Sequence, residues 1–190
     1  YLVIFFFLPT KEQLTQFETD IRKYTLVNEE MKNIIDGFPK TAHPMGVLSS
    51  LTSALTAFNP KAVDVSSKED MDHAAEMLVA KFSHLCAWTY RKKMGLSINH
   101  GDDSLNYVEN FYKMCFRRPN QEFHLDPVVV GALDKLLILH ADHEQNCSTS
   151  TVRMVGSAHT GLFASVSAGI SALWGPLHGG ANQAVIEMLE

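Results

Sequence analysis

After its first eight residues the chain has no stretch with the alternation of a β-strand. Its apolar residues recur at three-four spacing, between signals that start and stop helices. Thr10-Lys11-Glu12-Gln13 is a capping box and predicts a helix from Lys11 to Tyr24, with Leu14, Phe17 and Ile21 on one face. Asn28 can cap a second helix, Glu29 to Asp36, ended by Gly37-Phe38-Pro39. Pro44 suits the first turn of a third, running to about Phe58. Its Ser49, Ser50, Thr52, Ser53 and Ala54 suggest close helix–helix packing, and His43 reads as a capping or buried structural histidine. Ser66-Ser67-Lys68-Glu69 opens a long helix, Lys68 to Lys93. Met71, Ala75, Leu78, Phe82, Leu85 and Trp88 share a face there, a core stripe rather than a cofactor box. Arg91-Lys92-Lys93 at its end reads as a solvated cluster favoured by the helix dipole, with phosphate binding as the weaker alternative. Asp103 or Ser104 can cap a helix through Phe116. Asp126-Pro127 starts another, Val128 to about His140, so apolar that it should be buried all round. A short helix from Ser150 to Gly156, an Ala/Ser-rich run from Phe163 to Leu173 and a helical pattern from Gln183 to Glu190 complete the series.

With 190 residues, 46% of them hydrophobic, the chain fits one domain or one domain plus part of another. It can bury roughly 70% of its unfolded surface. The net charge is −5 and no basic stripe with interleaved aromatics stands out, which argues against a nucleic-acid partner. Cys86, Cys115 and Cys147 are odd in number and lack CxxC spacing. That usage fits a reducing, cytoplasmic setting and no zinc knuckle. The apolar run Val3 to Leu8 is too short to span a bilayer and has no basic flank, so no membrane segment is expected. The chain begins at Tyr1 inside that run and ends at Glu190 inside an amphipathic pattern, which reads as an internal piece of a longer polypeptide.

Two segments concentrate the chemistry. In Leu173-Trp174-Gly175-Pro176-Leu177-His178-Gly179-Gly180-Ala181-Asn182, the Gly-Pro corner breaks one helix, and the next should start afresh near His178. Free N–H groups of its first turn, with the dipole, would attract an anion and favour a neutral imidazole that can donate a hydrogen bond. The plain alternative is a corner with a capping histidine. The other segment is His140-Ala141-Asp142-His143-Glu144 with the polar run behind it. Imidazoles and carboxylates are costly to bury without partners, and three readings stand. His140 and His143 bind a metal on one helix face, though no third ligand suggests itself by spacing; or they form a hydrogen-bonded core network; or one of them holds a substrate carboxylate or carbonyl, helped by Asn146 and Ser148.

The stretch Leu137 to Asn146, followed by Ser148-Thr149-Ser150-Thr151-Val152-Arg153, resembles citrate synthase of the bacterial hexameric type, and so does Leu173 to Asn182. His43-Pro44-Met45, Tyr1-Leu2 and Leu8-Pro9 fit the family's earlier part, and the likeness covers essentially the whole chain. It implies an all-α fold: residues 1–175 as part of the large helical domain, and 176–190 as a hinge and first helix toward the small domain. It implies an acyltransferase that condenses acetyl-CoA with oxaloacetate to citrate and CoA, the first step of the tricarboxylic acid cycle. No cofactor and no metal are needed, acetyl-CoA being a substrate. By the same likeness His178 is catalytic, donating to the acetyl oxygen; His143 contacts oxaloacetate; Ser148 supports His178; and Asn146 stands beside that site as a further substrate-binding residue.

The family's aspartate base, a second catalytic histidine and substrate arginines lie downstream of Glu190, so the 190-residue chain alone is expected to be inactive. Self-association as dimers, grouped into hexamers, is implied for the complete enzyme. 2-Methylcitrate synthase is the sibling reading, a non-catalytic helical oligomerisation module on this scaffold the reading from another class, and a metal-dependent hydrolase a distant third. Three places depart from the family pattern. Phe6-Phe7 replace a Gly-polar pair, Lys93 to His100 lacks a Gly-Gln-Pro-Phe sequence, and His159-Thr160-Gly161-Leu162 stands where Ala/Thr-Asn-Pro is usual.

Overall fold

The computed structural model describes residues 1–190, the side chains of Lys61 and Val63 excepted. The described residues are helical, with no strand: α1 (Leu2–Phe5), α2 (Lys11–Tyr24), α3 (Met31–Asp36), α4 (Pro44–Phe58), α5 (Lys68–Met94), α6 (Tyr107–Phe116), α7 (Pro127–Leu139), α8 (Cys147–Gly156), α9 (Leu162–Leu173) and α10 (Gly180–Leu189). One 3-10 turn, Pro60–Val63, leads into α5.

The caps explain most of the starts. Thr10 and Gln13 make both bonds of a capping box on α2. His43 Nδ1 accepts the Met45 N–H at 3.2 Å to open α4. Ser67 caps α5, and Asp126 Oδ1 takes the Val128 N–H of α7 at 2.8 Å. Besides α10, described with the site below, three starts differ from expectation. α3 begins at Met31, because Asn28 engages through its carbonyl rather than its side chain. α6 begins at Tyr107, because Asn106 and Glu109 form a capping box that outcompetes Asp103 and Ser104. α8 begins three residues earlier than Ser150, because Asn146 caps it.

α5, 27 residues long, is the spine. Leu78, Leu85 and Trp88 on α5 join Met31 and Ile35 of α3, Leu51 and Leu55 of α4, and Phe163 of α9 in the main core. Ala87, Met114 and Cys115 form a smaller core between α5 and α6. Burial pushes the thiols of Cys86 and Cys115 up to about 12, which removes them as nucleophiles at neutral pH.

Arg91 is a correction. It is fully buried rather than solvated. Its Nε donates to Ser97 O, and its Nη1 donates to Cys115 O and Arg117 O, each at 2.9 Å. The guanidinium ties the loop after α5 to the end of α6, where the last carbonyls of a helix need donors.

The helix α7 is another correction. Expected to be buried all round, it buries no residue: Val128 is 77% exposed and Leu139 69%. Burial needs a neighbour on every face, and within this chain α7 packs chiefly along α6. No described helix is long and apolar enough to cross a membrane.

Candidate active site

The site is assembled by α8, α9 and the turn between α9 and α10. α9 has two close neighbours. Toward α4 it presents Ser167 and Ser171. Ser49 Oγ lies 3.0 Å from Ser167 O and 2.8 Å from Ser171 Oγ, and Ser167 Oγ donates back to Ser49 O at 2.8 Å. These hydroxyls are the close packing that the small residues of α4 announce. Toward α8, α9 presents Gly169. A Cβ there would lie 2.5 Å from Val152 Cγ2 and 3.9 Å from Ser148 Cβ, so α8 approaches as near as it does only because position 169 has no side chain.

That contact places Ser148. Its hydroxyl sits 3.0 Å from Gly169 O and 2.8 Å from His178 Nε2. The sequence separates the serine from the histidine by 30 residues; the α8–α9 contact makes them neighbours. Ser148 in turn stands in the first turn of α8 because Asn146 Oδ1 accepts the Thr149 N–H at 2.9 Å.

His178 does not sit on a helix start. α10 begins at Gly180, after a run of tight turns. The His178 N–H donates to Gly175 O (3.0 Å), Gly179 N–H to Leu173 O (2.9 Å), Gly180 N–H to Gly175 O (3.1 Å), Ala181 N–H to His178 O (3.1 Å) and Asn182 N–H to Gly179 O (3.0 Å). The N–H groups expected to cradle an anion are therefore taken by backbone carbonyls. The helix whose positive end stands beside the imidazole is α8, through Ser148, rather than α10. Gly179 serves the turn itself: a Cβ would meet the carbonyl oxygen of Leu173 and come within 2.7 Å of its Cδ1.

The other candidates lie on the α7–α8 loop. His140 ends α7 with Nδ1 2.7 Å from Leu136 O, to which it donates. Asp142 Oδ1 accepts the Glu144 N–H at 2.8 Å, and Glu144 turns the chain at φ 58. His143 is exposed, its ring 5.4 Å from that of His140 and inclined at 68°. The structure thus brings Ser148 and His178 together, places Asn146 beneath Ser148 as a cap, and leaves His143 reaching outward from the same loop. Among the described residues no group of three His, Cys, Asp or Glu could hold a metal ion.

A cavity of about 620 Å³ lies elsewhere, between α2, α5, α6 and α7. Its hydroxyls are spent on the protein: Thr25 Oγ1 on Ile21 O, Ser83 Oγ on Ala80 O and the Tyr107 hydroxyl on Val79 O. It offers packing space and no convergent chemistry.

A serine hydroxyl clamped between a helix carbonyl and an imidazole on a Gly-Pro turn is a specific arrangement. The sequence model of the family described as "Citrate synthase, C-terminal domain" matches residues 1–190. The chain belongs to the citrate synthase family. It is 51% identical over 190 residues to citrate synthase 1 of Mycobacterium tuberculosis, covering 100% of this chain and 44% of that protein. It is 48% identical to the citrate synthase of Corynebacterium glutamicum, with the same coverage. The crystal structure of citrate synthase from Pyrobaculum aerophilum superposes with a TM-score of 0.89 at 35% identity, covering 98% of this chain and 47% of that one. The chain therefore spans less than half the length of these relatives. The all-helical architecture is that of citrate synthases. Two features that position Ser148 and His178 go beyond the sequence expectations. Gly169 lay inside the Ala/Ser-rich run, where a mid-helix glycine is costly unless something packs on it, and that cost was the available signal. Asn146, expected beside the substrate, is also the cap that sets Ser148.

Proposed function

We propose that the polypeptide carrying these residues condenses acetyl-CoA with oxaloacetate and water to give citrate and CoA. The observation that carries this reading is the 2.8 Å contact between Ser148 Oγ and His178 Nε2. Ser148 has a single hydroxyl proton and two acceptors beside it. If the proton goes to Gly169 O, then His178 must donate through Nε2–H, and a neutral ring presents Nδ1 as an acceptor. If the proton goes to Nε2, the ring presents Nδ1–H as a donor. The second arrangement suits an enolising thioester. A base outside residues 1–190 takes a proton from the acetyl methyl, and Nδ1–H donates to the thioester oxygen as negative charge gathers there. The methylene carbon then bonds to the ketone carbon of oxaloacetate, and water cleaves the thioester to release CoA. One preorganised donor of this kind is worth about 3–4 kcal/mol in comparable sites.

His143, outward on the α7–α8 loop, is assigned to oxaloacetate. Asn146 retains its Nδ2 for the same ligand, Oδ1 being held by the cap. Residues 1–175 are assigned to the large domain and 176–190 to the approach to the small one. The reaction needs no metal and no cofactor. The relatives are citrate synthases, so the 2-methylcitrate reading has nothing to favour it, and the Ser148–His178 pair weighs against a non-catalytic scaffold. Three free cysteines suit a cytoplasmic setting, and dimers, themselves grouped, are the expected assembly.

Release of the CoA thiol, followed in the polypeptide extended to the relatives' length, tests the assignment. His178→Ala should lower kcat by about 10²–10³ with little change in KM, since the lost bond strengthens only as charge develops. His143→Ala should instead raise the oxaloacetate KM. Unchanged kcat in the first variant would overturn the reading.

A further inference from the structure

Trp174 has no part in the chemistry just described, yet it sits four residues before His178 at the end of α9. Its ring stacks on the His43 imidazole, with centroids 4.8 Å apart and planes inclined by 23°. It also lies over Gly46, where a Cβ would come within 3.3 Å of Cζ3. His43 is not free to turn, because its Nδ1 holds the Met45 N–H and so caps α4. The ring that opens α4 and the ring that closes α9 therefore form one stack. Below it the Ser49, Ser167 and Ser171 hydroxyls join the same two helices.

Beyond Trp174 the chain turns at Gly175-Pro176 and hangs from what it has just left: Gly179 N–H on Leu173 O, and His178 and Gly180 N–H on Gly175 O. The residues that carry the His178 backbone thus flank Trp174 on either side. Trp174 is 45% exposed, whereas Trp88 is fully buried in the core. A leucine would supply comparable apolar burial at such a site, but it would not lock a plane against a plane.

We infer that Trp174 is a positioning residue for His178. By latching the end of α9 to the start of α4 through His43 and Gly46, it fixes the turn that aims the imidazole at Ser148. For its relevance to catalysis this rests on the reading of His178 given above; the geometry it predicts is measurable without catalysis.

The test uses the polypeptide extended to the relatives' length, labelled with ¹⁵N at glycine, isoleucine and histidine, reading amide exchange at Gly179 and Gly180 together with the His178 ring nitrogens. Trp174→Leu should speed exchange at both glycines by about threefold to tenfold, the upper part of the range an aromatic pair is worth. It should also move the His178 ring signals toward those of Ser148→Ala. His43→Asn keeps a capping oxygen but loses the stacking ring, so it should do the same without touching α9, and it decides the matter if Trp174→Leu does not fold. Trp174→Phe, which keeps an aromatic plane, should stay within about twofold of the parent chain.

Exchange and ring signals unchanged in both Trp174→Leu and His43→Asn would overturn the latch. So would an equal acceleration at Ile170 in the body of α9, which would make the effect general loosening. A His178 spectrum insensitive to Ser148→Ala would overturn the catalytic pairing instead, while exchange at Gly179 and Gly180 would still decide the latch.

Discussion

Gly169→Ala is the substitution on which the construction of this site can be tested hardest. The added Cβ would lie 2.5 Å from Val152 Cγ2. Apolar carbons rest at about 3.5–4.0 Å, so the shortfall is about 1 Å or slightly more. Val152 cannot turn away cheaply, because a β-branched side chain in a helix has one strongly preferred rotamer. α8 must therefore back off from α9. Overpacking of this kind costs about 1–3 kcal/mol. Replacing a mid-helix glycine with alanine returns about 1 kcal/mol. The net loss of stability should be about 0–2 kcal/mol, a small effect on folding.

The effect on the site should be large. Ser148 Oγ lies 3.0 Å from Gly169 O and 2.8 Å from His178 Nε2. A retreat of about 1 Å takes both contacts past the distance at which a hydrogen bond counts. Misplacement of about 1 Å costs up to about a hundredfold in rate, so turnover should fall about tenfold to a hundredfold while the fold persists. Val152→Ala in the same polypeptide removes the obstructing methyl groups. The double variant should regain most of the lost turnover, although Val152→Ala alone costs stability. A double-mutant cycle on turnover, with denaturant unfolding alongside, makes the comparison. Wild-type turnover in Gly169→Ala, or no recovery in the double variant, would refute the claim that the missing side chain sets the Ser148–His178 distance.

Two further outcomes follow from strain and buried charge. His84 is fully buried with neither ring nitrogen hydrogen-bonded, and burial pushes its pKa from 6.5 to about 4, with His100 and then Lys81 adding to the shift. Between those values the unfolded chain binds more protons, so stability should fall as pH drops through 6.5 and level off below about 4, by about 3 kcal/mol in all. In His84→Leu this part of the acid sensitivity should vanish, and unfolding curves of equal pH slope in both proteins would contradict it. Phe6 stands at φ 64 with its side chain 88% exposed, in a conformation that costs a bulky residue about 1–2 kcal/mol. Phe6→Gly should therefore raise stability by about 0.5–1 kcal/mol and Phe6→Val lower it; a uniform sign across the two would show that the turn carries no such strain.

How much of this could be read from residues alone differs by kind of interaction. Caps are local, and Thr10, Pro44 and Asp126 open their helices where expected. Where several residues can cap, the structure takes the one that closes a side-chain bond: Asn106 with Glu109 over Asp103 and Ser104 at α6, and Asn146, four residues before Ser150, at α8. Burial is not local. The composition of α7 says that it wants apolar neighbours, but not which faces receive them in this chain. Arg91 has the local context of a solvated helix-end cation, because its acceptors, Cys115 O and Arg117 O, lie 24 and 26 residues away. The expectation that Ser148 supports His178 rests on the resemblance, not on spacing. The residues alone left metal binding, a core network and substrate binding open at His140 and His143. The anion cradle at His178 failed because a Gly-Pro corner followed by Gly-Gly lets the backbone close on itself, which uses the donors that such a cradle needs.

α9 explains why the chemistry sits where it does. A helix approached closely on two sides cannot carry large side chains on either, and α9 meets α4 with serines and α8 with glycine. Small residues bury little apolar surface, so α9 gains less from hydrophobic transfer than α5 does. Phe163 anchors it in the main core, and the buried hydroxyls of Ser49 and Ser167 add register more sharply than apolar contact does, because a slip of one residue leaves both unpaired in the interior. Register is what the site requires. Gly169 must stand opposite Ser148 for the serine to reach both a backbone carbonyl and the imidazole beyond it. The same small side chains that weaken α9 as a core element thus allow the residue after the next corner to be aimed.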